Sequence, residues 1–313
     1  MPKNWWLRRK TIGAALFAGV LGLALGGCGT TPGEAAPGEE GERPLVLTTF
    51  TVLADIARAV AGEHLRVESI TKVGAEVHGY EPTPGDIRRA AEAALVLENG
   101  LGLEGWFDRL LAETDAPRVT VAAGVTPIPL AGTDDVSNPH AWMSAVSGAA
   151  YVEAIVAAFS ALLPAEAASF AEAGAAYQAE LAQIHDELRA AVAALPPSHR
   201  TLVTCEGAFS YLARDAGLGE VYLWPVNAEQ QATPQQVAAA IRAVQDQQIP
   251  AVFCESTVSD RAMQQVVAAT GAAFGGVLYV DSLSDATGPV PSYLALLRYD
   301  AQLIVAGLTG GTP

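Results

Sequence analysis

His78, in the stretch AEVHGYEPTPGDI (Ala75–Ile87), is one of only five histidines in a chain of 313 residues. His140 lies in NPHAWMS, where Pro139 stiffens the backbone before it and Trp142 can pack beside it. Glu206 ends the apolar run TLVTC, and Asp281 ends GVLYV. Two imidazoles and two carboxylates form a mixed nitrogen–oxygen donor set, suited to divalent manganese, iron or zinc. Singly, each has a plainer role, because loop histidines are usually solvated and a carboxylate past a strand usually caps the next helix. His64, His185 and His199 keep that plainer role, with His185 expected to face solvent, and none is assigned a function. HExxH, Walker A, GxSxG and CxxC motifs do not occur, and three cysteines leave little material for a thiolate zinc cluster.

What must position these four residues is an alternation of strand and helix. From Leu45 the chain reads LVLTTF (strand), LADIARAVAG (helix), RVESI (strand), PGDIRRAAEA (helix), ALVLENG (strand), GWFDRLLAET (helix) and RVTVAAG (strand). Strands separated by helical patterns imply βαβ units and a parallel sheet. After Thr201 the order repeats: TLVTCEGAFSYLARDAG parallels LVLTTFTVLADIARAVAG. Each half also has Thr-Pro before a helix (Thr83-Pro84 and Thr233-Pro234), an N-cap followed by a residue suited to the first helical position. The reading is an α/β fold of two similar lobes with mainly parallel sheets. In such sheets ligands bind outside the carboxyl ends of the strands. Two candidates fall at that edge in each lobe, so a cleft between lobes can collect all four.

Between the halves lies an alanine-rich stretch. Phe170, Gly174, Tyr177, Leu181, Ile184, Leu188, Val192 and Leu195 recur in steps of three and four and make one apolar stripe. A helix over Ala165–Leu195 would span ~46 Å and link the lobes as a rigid strut. The boundaries are 44–147 for the N-terminal lobe, 148–198 for the connecting helices and 199–313 for the C-terminal lobe.

The first residues read as a signal peptide (1–27), with Arg8, Arg9 and Lys10 ahead of an apolar run shorter than a membrane span. LGGC looks like a lipobox with Cys28 as the lipidated residue, and 28–43 is a Gly-, Pro- and Glu-rich flexible spacer. No second long apolar run is read further on. The expected location is therefore extracytoplasmic, held to the membrane by the lipid on Cys28. Losing the four basic residues of the signal (Lys3, Arg8, Arg9, Lys10) takes the net charge from −16 to −20. That argues against nucleic acid and anionic headgroups as partners, and agrees with a cationic ligand.

Several stretches together resemble the cluster A-I metal-binding receptors of bacterial ABC transporters: VLTTFTVLADIARAVAG, VHGYEPTPGDI, NPHAWMS, VTCEGAFSYLARDAGL, YLWPVNAEQQATPQQV, CESTVSDRAM and LYVDSLS, in family order. The resemblance implies that His78, His140, Glu206 and Asp281 are the ligands of one divalent ion carried as cargo. It also implies delivery to an ABC permease with its ATPase, and a monomer is expected. Manganese is the expected cargo, with iron or zinc the alternatives, because zinc-type relatives have a third histidine where Glu206 stands and a histidine-rich insertion that TPIPLAGTDDVS lacks. Asn138 departs from the aspartate common in the family. A filled coordination sphere leaves no position for water or substrate, so capture and release are expected rather than catalysis. A metallohydrolase or a surface adhesin are the readings from other classes. Cys205 and Cys254 end strands that can be neighbours, but parallel neighbours seldom offer disulfide geometry, so free buried thiols are expected.

Overall fold

A computed structural model of the chain describes residues 43–106, 115–131, 133, 135–226 and 232–310. The signal peptide, Cys28, the spacer as far as Glu42 and most of the helix read at 105–114 lie outside the described residues; Gly105 and Trp106 form part of a turn.

In the N-terminal lobe, β1 (Leu45–Thr48), β2 (Arg66–Ser69), β3 (Leu95–Glu98) and β4 (Arg118–Thr120) form one parallel sheet in the order β2-β1-β3-β4. β1, between β2 and β3, is wholly buried. Such strands read as continuous apolar runs rather than as an alternation. β4 is shorter than RVTVAAG suggests, since Val121–Gly124 turns into a 3₁₀ segment. Helix α1 (Thr51–Ala61) buries Val52, Leu53, Ile56 and Val60, while α2 (Pro84–Glu92) starts at a full capping box. There the Thr83 hydroxyl accepts from the Asp86 N–H (3.3 Å) and Asp86 Oδ2 accepts from the Thr83 N–H (2.7 Å). Such caps are worth about 1 kcal/mol and fix where the helix begins.

The connection is made by α3 (Ala145–Leu162) and α4 (Ala167–Ala194). Helix α4 starts two residues later than the sequence suggests, after a 3₁₀ turn at Pro164–Glu166, and spans ~42 Å. The whole stripe from Phe170 to Val192 is buried. Gly174 sits at the crossing with α3, where a Cβ would come within 2.5 Å of Val156 Cγ2. A mid-helix glycine costs roughly 0.5–1 kcal/mol relative to alanine, which the close approach of the two helices offsets. Helix α3 is apolar and long enough by composition to cross a membrane. This corrects the expectation of no second long apolar run: Ser147, Gly148, Glu153 and Ser160 interrupt the stretch, and its Tyr151, Val152, Ile155 and Phe159 are fully buried in the core.

The C-terminal lobe repeats the alternation with β5 (Thr201–Glu206), α5 (Ser210–Ala216), β6 (Gly219–Trp224), α6 (Pro234–Gln247), β7 (Ala251–Glu255), α7 (Arg261–Thr270), β8 (Ala273–Leu278) and α8 (Tyr293–Leu308). Its strands form two parallel pairs, β5–β6 and β7–β8, rather than one hydrogen-bonded sheet. β5 and β7 nevertheless run side by side, with the Cα atoms of Cys205 and Cys254 4.9 Å apart and the two residues joined in a disulfide. This corrects the expectation of free thiols. The two residues sit level on adjacent strands, close enough for a bridge. One continuous core runs through both lobes, from Val46 and Phe50 through Trp142, Phe170 and Leu181 to Phe253 and Ile304.

Candidate metal centre

His78 rides on the loop between β2 and α2. The Glu76 carboxylate braces that loop, accepting the N–H groups of His78 (2.7 Å) and Gly79 (2.8 Å). Trp106 Nε1 donates to the Val77 carbonyl at 2.8 Å, holding the loop to the lobe.

His140 is fully buried and is set by Asn138. The Asn138 Oδ1 accepts from the His140 N–H and lies 3.0 Å from ring Nδ1, which places the ring proton there and leaves the Nε2 lone pair facing the cleft. Asn138 Nδ2 donates to the Gly207 carbonyl (2.6 Å), tying this segment to the turn after Glu206. An aspartate could orient the histidine but could not make that second bond. Trp142 donates through Nε1 to the Val280 carbonyl (3.0 Å), so the His140 segment also holds the approach to Asp281. From behind, Asn99 Nδ2 donates to the Pro139 carbonyl at 3.0 Å.

Glu206 closes β5 with its side chain wholly buried. Its N–H donates to Glu255 Oε2 (3.1 Å) on the neighbouring strand, directly beside the disulfide. Gly207 follows because a Cβ there would meet the Pro225 carbonyl oxygen at 2.8 Å. Asp281, also wholly buried, lies three residues past Leu278, where β8 ends, so it stands in the following loop rather than at the strand end. Its Oδ2 accepts from the Thr257 hydroxyl (3.1 Å). Its Oδ1 is buried with no hydrogen-bond partner among the described residues.

All four sequence-derived candidates therefore meet in one place. His78 Nε2 and His140 Nε2 lie 3.0 Å apart. Two imidazole nitrogens bound to one ion at ~2.1 Å would stand roughly 3.0–3.4 Å apart. Glu206 Oε1 is 3.7 Å from each of these nitrogens, and Asp281 Oδ1 is 3.8 Å from His78 and 4.0 Å from His140. Burial, reinforced by the neighbouring His78, holds the His140 imidazole well below its ordinary pKa and so in the neutral form that coordinates metal. Burial raises the Asp281 carboxyl, against the pull of His78. Such an assembly of acceptors around an orphaned carboxylate oxygen fits a divalent cation. A cation would supply the missing partner and favour the ionised carboxylates that burial disfavours.

Sequence reasoning missed Glu76, which a carboxylate two residues before a candidate histidine could have flagged. It also missed Glu255, whose carboxyl burial pushes up to about 8. The remaining histidines stay apart from the site. His64 pairs with Glu166 (3.2 Å), His199 Nδ1 lies 3.0 Å from the Leu308 carbonyl, and His185 is half-buried on α4 rather than facing solvent.

The family described as ZnuA, zinc-uptake complex component A, periplasmic, matches residues 46–307. The chain is 46% identical over 277 residues to the iron-binding protein YfeA of Yersinia pestis, covering 88% of this chain and 89% of that protein. It is 30% identical over 291 residues to the manganese-binding lipoprotein MntA of Halalkalibacterium halodurans, covering 93% and 96%. Among solved structures, the manganese-bound periplasmic metal binding protein from Candidatus Liberibacter asiaticus superposes with a TM-score of 0.81 at 35% identity, over 85% of this chain and 100% of that one. By the extent of these matches, the chain belongs to the ZnuA family, cluster A-I, of extracytoplasmic metal-binding substrate receptors of ABC transporters, which are binding proteins and not enzymes.

Proposed function

We propose that this receptor captures one divalent ion through His78, His140, Glu206 and Asp281 and hands it to an ABC permease, with manganese(II) the physiological cargo and iron(II) the next in line. The observation that carries the ligand assignment is the facing pair of imidazole nitrogens, 3.0 Å apart, beside the buried Asp281 Oδ1 that has no hydrogen-bond partner among the described residues. The metal assignment rests on Glu206. Two imidazoles and two carboxylates offer more than four donor atoms when the carboxylates bind through both oxygens. Manganese(II) and iron(II) favour such oxygen-rich surroundings, whereas zinc is satisfied by four softer ligands. The names of the iron-binding and manganese-binding relatives point the same way, and the zinc in the family description marks the competing reading. Intrinsic affinity for zinc exceeds that for manganese at almost any nitrogen–oxygen site, so zinc should bind in vitro at least as tightly. Selection then comes from release geometry and metal supply. Lipid attachment through Cys28 would hold the receptor at the membrane beside its permease.

Uptake tests the cargo. Deleting the gene and growing cells under limitation of each metal should lower manganese accumulation most. A strain that loses only zinc accumulation would overturn manganese and leave the receptor assignment intact.

A further inference from the structure

Beside the inner cluster of His78, His140 and Glu206, a second group of donor atoms can hold a metal ion: a carboxylate oxygen of Glu76, a ring nitrogen of His78 and a carboxylate oxygen of Asp281, all within 4.8 Å of one another. The two groups share His78. Their burial is graded: Glu76 is half-buried, the His78 side chain is 7% exposed, and His140, Glu206 and Asp281 are fully buried. Asp281 points an unpartnered, fully buried oxygen into the same space. The loop that carries Glu76 is also tied to the Asp281 segment, because the Gly74 N–H donates to Ser282 Oγ at 2.6 Å.

The geometry points to Glu76, His78 and Asp281 as an outer station through which the metal ion enters and leaves the inner site. This rests on the reading that His78, His140, Glu206 and Asp281 hold the cargo. A hydrated ion in water meets Glu76 first, exchanges part of its hydration for that carboxylate and His78, and passes inward as Glu206 and His140 replace Glu76. His78 and Asp281 serve both positions, so the ion is never without protein ligands on the way. On release the same exchange runs backwards. Because Glu76 is bound in transit and not in the final site, it acts on the rates of entry and exit. A negative charge at a cleft mouth also raises the local cation concentration, an effect worth ten- to a thousandfold in association rate.

The test is stopped-flow binding of manganese(II) to the full mature receptor, comparing wild type with Glu76→Gln and Glu76→Asp. The Gln variant should slow association about tenfold and flatten its dependence on ionic strength, beyond any loosening of the His78 loop that Glu76→Asp shares. Glu76→Asp, which keeps the charge but shortens the brace to the His78 and Gly79 N–H groups, should recover most of the association rate. A structural brace alone predicts Asp as impaired as Gln in association, with Kd weakened through faster dissociation. Either that pattern or unchanged rates in Glu76→Gln overturns the outer station while leaving the receptor reading standing. A wild-type receptor that binds no manganese(II), iron(II) or zinc(II) overturns both.

Discussion

Reducing the Cys205–Cys254 bridge should destabilise the metal-free receptor by about 4 kcal/mol. The two cysteines are 49 residues apart in sequence. Closing a loop of that length removes ~14 cal/mol/K of chain entropy from the unfolded state, or about 4 kcal/mol at 25 °C. The folded state has little to gain from reduction, because both sulfur-bearing residues are buried on adjacent strands whose neighbours Glu206 and Glu255 are hydrogen-bonded to each other. For a domain of this size, 4 kcal/mol corresponds to roughly 8–16 °C in Tm. The assay is chemical denaturation of chelator-treated protein with and without a phosphine reductant, the m-value being followed as well as the midpoint. Oxidised and reduced samples have the same sequence, so no cavity from a cysteine substitution confuses the comparison. The Cys205→Ala/Cys254→Ala variant should fall at or below the reduced wild type and be insensitive to reductant. A loss under about 1 kcal/mol, or two free thiols in the unreduced denatured chain apart from Cys28, would refute the reasoning.

Asn138→Ala removes both the partner of His140 Nδ1 and the bond to the Gly207 carbonyl, and should weaken manganese(II) binding about 10–100-fold by calorimetry while leaving the circular dichroism unchanged. The Glu104 carboxyl, accepting the Asn99 and Gly100 N–H groups and the Thr49 hydroxyl, is pushed up to about 7 by burial. A raised folded-state value means its contribution is complete below ~4.3 and lost as pH rises through 7, so stability of the apo protein should fall by roughly 3 kcal/mol over that window. Glu104→Gln should flatten that slope in urea titrations at pH 5 and pH 8, and an undiminished slope would remove Glu104 as its source. Cys28→Ser should move the receptor from the membrane to the soluble fraction on cell fractionation, and a wild type already soluble would exclude the anchor.

How far the sequence reached follows from which interactions are local. The α4 stripe and the two Thr-Pro helix starts were legible because 3.6-residue periodicity and capping involve residues only a few positions apart. The four donor residues could be singled out because the carboxyl edge of parallel strands is where a chain with these connections gathers its loops. That Asp281 stands three residues beyond β8 was not legible, since Tyr279 and Val280 continue the apolar pattern after the ladder has ended. The disulfide was equally hidden. It depends on β5 lying beside β7 and on their relative height, and neither is encoded in the spacing of two cysteines. Asn138 was read only as a departure at a family position; its role depends on Gly207, 69 residues away. Glu255 supports Glu206 from a strand 49 residues away, a contact that no local pattern announces.

The central claim is that His78, His140, Glu206 and Asp281 together hold one ion, and equilibrium titration of manganese(II) into the chelator-treated mature receptor tests it most directly. Wild type should bind one ion per chain. His140→Ala and Asp281→Ala should each lose at least a hundredfold in affinity and keep the wild-type circular dichroism. Binding at full strength in either variant would contradict the shared site.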